Sequence, residues 1–167
     1  MRVWTVLPVL ALSASVWAQD IGAWSYQLRP PFYAATMNDS GHVFGQWCDV
    51  DAGTCAYLLA LSTACEDGES YPVLINSDVS AMTSTLVCRG RLESGKYRYA
   101  LAQFDAVDGM VRKARRIGLA IPLEGDQFRV VRFSLDGAAA TLTLMRAAAE
   151  KATASGQRRS STRDQRL

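Results

Sequence analysis

Hydrophobic and polar side chains alternate in short runs along most of this chain. In residues 24–28 large apolar residues alternate with polar ones, and Tyr97, Tyr99 and Leu101 alternate with smaller or polar residues over residues 97–104. A period of two residues is typical of a half-buried β-strand, and β-branched residues also favour strands. On these two signals, further predicted strands lie at residues 32–36, 43–50, 54–61, 72–75, 79–88, 110–121 and 128–133.

Segments rich in turn-forming residues separate the predicted strands. They include residues 38–41 (Asn-Asp-Ser-Gly), 51–53 (Asp-Ala-Gly) and 107–109 (Val-Asp-Gly), and residues 62–71 form a polar loop. Short strands with a turn roughly every 8–12 residues are typical of an antiparallel β-sandwich or an open barrel. A parallel α/β sheet would need helices between its strands, and the pattern has none there. The sequence therefore predicts a mainly β fold.

Near the C-terminal end the spacing of apolar residues changes from every second residue to every third or fourth residue. This spacing predicts one helix over residues 136–154 that packs on the sheet. Ser134 or Asp136 is a suitable N-cap, and Gly156 is a suitable stop. Residues 155–167 are small, polar and basic, so we expect them to be disordered. The apolar residues that repeat at helical spacing are Leu135, Ala138, Ala139, Leu142, Met145, Ala149 and Ala152.

The first 18 residues have the three parts of a secretory signal peptide. Arg2 supplies the positive charge, an apolar run follows as far as Val16, and small residues at Val16 and Ala18 suit signal peptidase. The run is too short to span a membrane, which takes roughly 20 apolar residues. Cleavage after Ala18 would leave one domain at residues 19–154 and the tail. We therefore expect a periplasmic or secreted protein with no transmembrane segment after cleavage.

Four cysteines, Cys48, Cys55, Cys65 and Cys88, all lie in the predicted mature part. An even number in an exported chain favours disulfide bonds over free thiols. Four cysteines allow three pairings. We favour Cys48–Cys55, because turn residues lie between them, together with Cys65–Cys88. Metal binding is not expected, since the chain lacks a Cys-x-x-Cys motif and a histidine at zinc-ligand spacing.

The charge is distributed unevenly, although the whole chain carries only +2. Residues 19–150 have twelve basic and fifteen acidic side chains, and the segment from Lys151 onward is basic. A dense basic run lies within the predicted strand 110–121. Cations at a strand edge prevent aggregation, or they bind an anionic partner. No aromatic residues interleave with this run, so nucleic acid is not an expected partner. The run consists of Arg112, Lys113, Arg115 and Arg116.

Acidic residues form two local groups. Asp49 and Asp51 could act as a carboxylate pair in glycoside hydrolysis. They resemble the start of a calcium loop but lack its glycine and its final glutamate, so a solvated turn is the simpler interpretation. The second group lies in a loop next to a cysteine and is a candidate for weak cation binding or for partner contact. It consists of Glu66, Asp67 and Glu69.

The chain contains a single histidine, His42, next to a predicted turn. A Ser-His-Asp or Cys-His site would have to use it, and paired cysteines would leave no thiol nucleophile. We expect no catalytic residue, no metal and no cofactor.

Two segments near the end of the strand region carry a resemblance to a known family. They are Leu119-Ala120-Ile121-Pro122 and Arg132-Phe133-Ser134-Leu135-Asp136-Gly137-Ala138. In this region a strand leads into Ser134, Leu135 and Gly137, and a terminal helix follows. This arrangement resembles the C-terminal end of the invasion-associated locus B family of exported bacterial proteins. Trp47-Cys48 is similar to that family's Trp close before a Cys. The resemblance implies a disulfide-bonded periplasmic or surface-associated protein linked to host interaction.

These observations favour an exported, non-enzymatic binding or accessory protein of the bacterial envelope, with another envelope or host protein as partner. Three alternatives remain open. They are a small hydrolase that uses Asp49 and Asp51, a hydrolase inhibitor that presents the loop 65–71, and a subunit of an envelope-spanning assembly. The sequence leaves the oligomeric state open.

Overall fold

The computed structural model of the protein describes residues 18–122 and 127–163. Residues 1–17, nearly all of the predicted signal peptide, lie outside the described residues. The strands are β1 (Gln19–Ile21), β2 (Trp24–Gln27), β3 (Phe32–Met37), β4 (Val43–Asp49), β5 (Thr54–Leu61), β6 (Ser70–Ser77), β7 (Ala81–Arg91), β8 (Tyr97–Leu101), β9 (Arg116–Pro122) and β10 (Phe128–Ser134). The helices are α1 (Phe104–Val111) and α2 (Ala138–Arg163).

All ten strands belong to one antiparallel sheet, in the order β1-β2-β3-β4-β5-β8-β7-β6-β9-β10. The sheet curls until β10 approaches β3, but no strand ladder joins these two strands, so the sheet is an open barrel. The prediction of a mainly β, antiparallel fold with a C-terminal helix packed on it is confirmed. Strand β1 begins at Gln19, the first residue after the predicted cleavage point.

Aromatic residues from distant strands form the centre of the core. Phe44 packs edge-on against Trp24 (6.2 Å between ring centroids), stacks on Tyr57 (5.7 Å) and contacts Phe133 (5.5 Å). Helix α2 lies over β2 and β3. It buries Ala138, Leu142, Met145 and Ala149, at the three- and four-residue steps predicted for its apolar face.

Residues 104–111 form helix α1, so the predicted turn at 107–109 and the predicted strand from residue 110 are wrong. Val107, Met110 and Val111 are buried at helical spacing. The strand that follows begins only at Arg116. An eight-residue helix gives a weak periodic signal, and its Asp108-Gly109 pair is equally typical of a turn.

Helix α2 continues to Arg163, beyond Gly156, where the sequence predicts its end. Glycine lowers helix stability by about 1 kcal/mol relative to alanine but does not force a stop. Residues 164–167 lie outside the described residues. The predicted disorder of residues 155–167 in solution stays a prediction.

Both predicted disulfide bonds are present, and the described residues contain no free cysteine. Cys48 and Cys55 lie directly opposite each other on β4 and β5. The bond between Cys65 and Cys88 ties the loop before β6 to β7 and spans 23 residues. Each bond therefore holds a connection between strands.

The segment that carries the family resemblance forms the corner between β10 and α2. The backbone N–H of Ala23 donates to the carbonyl of Asp136 (3.0 Å), and Trp24 Nε1 donates to the carbonyl of Ser134 (2.9 Å). Gly137 has φ +86°, and a Cβ there would overlap the carbonyl of Ile21. These residues hold the first two strands against the end of β10, so their role is structural.

Candidate interaction surface

A groove of about 860 Å³ lies where β10 approaches β3 at the open side of the barrel, and we call it the seam groove. Two side chains bridge one end of the seam: Trp24 Nε1 bonds the carbonyl of Ser134 at 2.9 Å, and Asn38 Nδ2 bonds the carbonyl of Arg132 at 3.2 Å. The seam therefore closes at the C-terminal end of β10. The residues that line it are Ala23, Thr36, Met37, Asn38, Asp39, Leu74, Asn76, Ser77, Asp78, Arg116, Ile117, Gly118, Ala120, Val130, Arg132, Phe133 and Ser134.

An apolar row crosses the outer face of the sheet and lines part of this groove. Leu74, Ala120 and Val130 are direct neighbours on β6, β9 and β10, and Leu74 and Val130 are about half exposed. Met37, on the opposite wall, is 66% exposed, and Phe128, further along β10, is 67% exposed. A monomeric protein rarely exposes contiguous large apolar residues without a function for them.

A polar and basic row lies directly beside the apolar one. It consists of Asn76, Gly118 and Arg132 in register across the same three strands. The stem of Arg132 lies across Gly118, since a Cβ on that glycine would be 3.8 Å from Arg132 Cγ. Arg116 lies opposite Ser134 in the next row. Among the described residues neither Arg116 nor Arg132 has an ion-pair partner.

The acidic side chains near the groove differ in availability. The Asp78 carboxylate accepts hydrogen bonds from the backbone N–H of Arg115 (2.8 Å) and from the Nε of the same arginine (3.1 Å). These bonds, together with one from the backbone N–H of Arg116, lower the pKa of Asp78 to about 2. Asp78 is therefore ionised, and its carboxylate is already bound by Arg115. Asp39 lies in the turn on the opposite wall. The β9–β10 side of the groove is thus basic.

Strand β10 is an edge strand. Within the described part of the chain its only ladder partner is β9. The carbonyls of Arg132 and Ser134 point into the seam, where Asn38 and Trp24 bind them. Because backbone groups alternate along a strand, those of Val130 and Phe128 face the same way. No described side chain reaches them, so the N-terminal half of this edge is available for pairing.

A cluster of charged residues connects both helices to the sheet at a separate place. Asp108 accepts hydrogen bonds from Tyr57 (2.6 Å), Arg112 (3.0 Å) and both terminal nitrogens of Arg146 (2.5 and 3.1 Å). Arg146 Nε donates to Gln46 at 2.6 Å. Burial alone raises the pKa of Asp108, but the bonds from Arg146 and Tyr57 outweigh it, so the pKa lies below its ordinary value. Every lone pair of this carboxylate has a donor, so we assign the cluster a structural role.

His42 is almost fully buried, at 9% exposure. Its Nε2 lies 3.3 Å from Ser62 Oγ, while Nδ1 has no hydrogen-bond partner. Burial lowers the pKa of this imidazole, and the charges of Arg129 and Lys96 lower it further. Among the described residues no carboxylate hydrogen-bonds the ring, so the arrangement of a Ser-His-Asp site is absent from that part of the chain.

The acidic residues predicted as candidates lie away from the seam groove. Asp49 Oδ1 accepts from the backbone N–H groups of Asp51 (2.9 Å) and Ala52 (3.1 Å), which makes it a turn cap. The exposed group Glu66, Asp67 and Glu69 precedes β6 at Ser70, whereas the groove lies near its other end at Ser77. The first β6 residue that lines the groove is Leu74, four positions beyond Ser70, so about 13 Å of strand separates the two. The structure does not bring these acids together with the basic run; their role in partner binding stays a prediction.

The basic run is divided among several elements rather than lying on one strand edge, which corrects that prediction. Arg112 ends α1 and pairs with Asp108, and Lys113 lies in the following turn. Arg115 pairs with Asp78 but keeps 87% of its side chain exposed. Only Arg116 lines the seam groove. The expected binding of an anionic partner by these residues stays a prediction.

Sequence reasoning did not single out Met37, Leu74, Val130 or Arg132. Leu74, Val130 and Arg132 alternate with buried or half-buried neighbours in their strands, which places them on the outer face, and Met37 is the exposed last residue of β3. That signal does not tell which outward positions of different strands become neighbours, because the strand order and register decide it.

No protein-family model matches this chain, and no curated protein matches its sequence. Among solved structures, invasion-associated protein B from Bartonella henselae is similar, with a TM-score of 0.56 and 14% sequence identity. The similarity covers 78% of this chain and 96% of that protein. At this identity the likeness shows the fold alone. It supports the family resemblance of residues 119–138 at the level of the fold.

No helix among the described residues is both long and apolar enough to cross a membrane. In the same residues, no group of three or more His, Cys, Asp or Glu side chains comes close enough to hold a metal ion.

Proposed function

We propose that this protein is an exported, non-enzymatic binding protein of the bacterial envelope that holds a segment of another protein in the seam groove. The observation that carries the proposal is the groove itself. It combines exposed apolar residues, two arginines that have no ion-pair partner in the part of the chain that the structure describes, and an open strand edge at one place on the surface. Protein-binding sites commonly join an apolar centre to a polar rim.

Export is the second part of the proposal. The signal-peptide pattern supports it, as do the two disulfide bonds, because such bonds persist in oxidising compartments. The solved structure that shares the fold is described as an invasion-associated protein. An envelope or host protein is therefore the partner that we propose, and we extend this to host interaction on the family resemblance.

Site-specific photo-crosslinking in the cells that produce the protein tests this function. A photoreactive residue is placed at Val130 or Leu74 in the groove, or at Ser94, an exposed control position in the turn between β7 and β8. We expect one discrete crosslinked protein from the two groove positions and none from Ser94. Equal crosslinking from all three positions, or none from the groove, would refute the proposal.

The hydrolase alternative receives less support. Asp49 binds two N–H groups of its own turn, so it does not converge with Asp51 on a cleft. The inhibitor and assembly-subunit alternatives use protein contacts, so the crosslinking experiment bears on them as well. An inhibitor that acts through the loop 65–71 would crosslink from Asp67 and not from Val130.

A further inference from the structure

We infer that the partner segment in the seam groove is an extended, acidic and apolar strand that pairs with the outer edge of β10. This inference rests on the proposed function and specifies its ligand. An exposed sheet edge binds a peptide through main-chain hydrogen bonds, while side-chain pockets supply specificity. Strand β10 offers both free main-chain groups along its edge and side chains that can supply specificity.

The edge offers main-chain partners over a defined stretch. The bridge from Asn38 occupies the carbonyl of Arg132, and the bridge from Trp24 occupies that of Ser134. The outward N–H and C=O groups of Phe128 and Val130, and the N–H of Arg132, remain for an added strand. Such a strand would occupy the open seam between β10 and β3 and extend the sheet.

The side chains next to that edge indicate the sequence of the strand. Across from Arg132 we expect a carboxylate, because the guanidinium has no ion-pair partner among the described residues and Arg116 adds a second positive charge nearby. Across from Val130 and Phe128 we expect apolar residues. One face of the strand would then read acidic, apolar, apolar at every second position, since side chains alternate in direction.

A second copy of this chain is a less suitable occupant. Pairing of β10 with β10 of another copy would add two more arginines to a basic region that contains Arg116 and Arg132. Opposite charges across a strand pair stabilise it, and like charges destabilise it. The charge of the groove thus favours an acidic partner segment.

Binding of a synthetic peptide to the purified mature protein tests the inference. The probe is a fluorescent seven-residue peptide of sequence Glu-Thr-Val-Thr-Val-Thr-Glu. Its glutamates and valines share one face, so that either strand direction places an acid near Arg132 and valines near Val130 and Phe128. We expect saturable binding. Arg132→Glu should weaken it roughly tenfold, and replacing the terminal glutamates by lysine should restore binding to that variant. Arg89→Glu, at an exposed arginine outside the groove, should change nothing.

Backbone methylation separates strand pairing from side-chain attraction. Two versions of the peptide carry N-methyl groups on alternate amides, in opposite phase. Only one of the two alternate sets of N–H groups faces β10. We therefore expect the version methylated on that set to lose binding and the other version to keep it. An equal effect of both versions would overturn strand addition.

The result is independent of the crosslinking result. No binding of the peptide, together with crosslinks from Val130 and Leu74, would overturn the acidic-strand inference and leave the proposed function standing. Absence of those crosslinks would refute the proposed function itself. A concentration-dependent dimer in sedimentation that Arg132→Glu abolishes would also overturn the inference, because a second copy would then occupy the edge.

Discussion

Gly137 is the residue at which the corner between β10 and α2 depends most directly on the absence of a side chain. Its φ of +86° is unfavourable for other residues, and a Cβ would overlap the carbonyl of Ile21. We expect Gly137→Ala to lower the free energy of unfolding by about 2 kcal/mol or more. Urea unfolding of the mature protein measures this.

The control for that change is Gly109→Ala in helix α1, where a Cβ would meet nothing within 4 Å. Alanine favours a helix over glycine, so this variant should gain about 0.5–1 kcal/mol. A loss of similar size in both variants would contradict the steric explanation for Gly137.

The charge of the Asp108 carboxylate contributes to the free energy of unfolding, and this contribution depends on pH. Asp108→Asn removes the negative charge that one tyrosine hydroxyl and three guanidinium nitrogens surround, and it leaves Arg146 partly buried without this counter-charge. We expect the free energy of unfolding at neutral pH to fall by about 2 kcal/mol. Asp105→Asn, at an exposed position in the same helix, should have little effect.

The pH dependence of this difference follows from the lowered pKa of Asp108 in the folded protein. The carboxylate contributes its full stability above the ordinary aspartate pKa of 3.8. The contribution disappears as the pH falls through the lower pKa of the folded protein. Unfolding curves of wild type and Asp108→Asn should therefore converge in acid. A constant difference from neutral pH down to strong acid would contradict the assigned role of the carboxylate.

At the scale of elements, what the sequence could predict depends on the strength of the local period. Strands β5 and β10 are rich in apolar and aromatic residues and lie between turn-forming residues, and their predicted bounds agree with the observed ones within one residue. Helix α1 was missed because eight residues hold only two turns, and three-residue β1 is too short to show a period at all. Short elements take their structure from tertiary contacts.

The two disulfide bonds should differ in how much they stabilise the fold. The Cys48–Cys55 bond closes 7 residues and the Cys65–Cys88 bond closes 23. Loop entropy rises with the logarithm of loop length, so the longer bond should contribute about 1 kcal/mol more. Thermal unfolding of the two paired-alanine variants, Cys48→Ala with Cys55→Ala and Cys65→Ala with Cys88→Ala, checks this. An equal or reversed loss would contradict the entropic explanation.

At the scale of the whole molecule, the seam groove was beyond sequence reasoning because the closing of the sheet creates it. Met37, Leu74 and Val130 are separated by 37 and 56 positions in the chain, and only the strand order and the curl of the sheet make them neighbours. Arg116 was a candidate for its charge, but Arg132 lacked any local signal. The disulfide pairing was predictable because the turn residues between Cys48 and Cys55 indicated a hairpin.

The proposed export of the protein predicts which residue begins the mature chain, namely Gln19. Strand β1 begins at Gln19, whose side chain accepts a hydrogen bond from Tyr26 at 2.6 Å, so the folded domain uses the chain from the predicted cleavage point onward. Intact-mass measurement of the protein recovered from the cell envelope should give a chain that starts at Gln19. Thiol alkylation should label four cysteines after reduction and none before. A full-length mass with free thiols would contradict export, and it would remove the oxidising compartment on which both disulfide bonds depend.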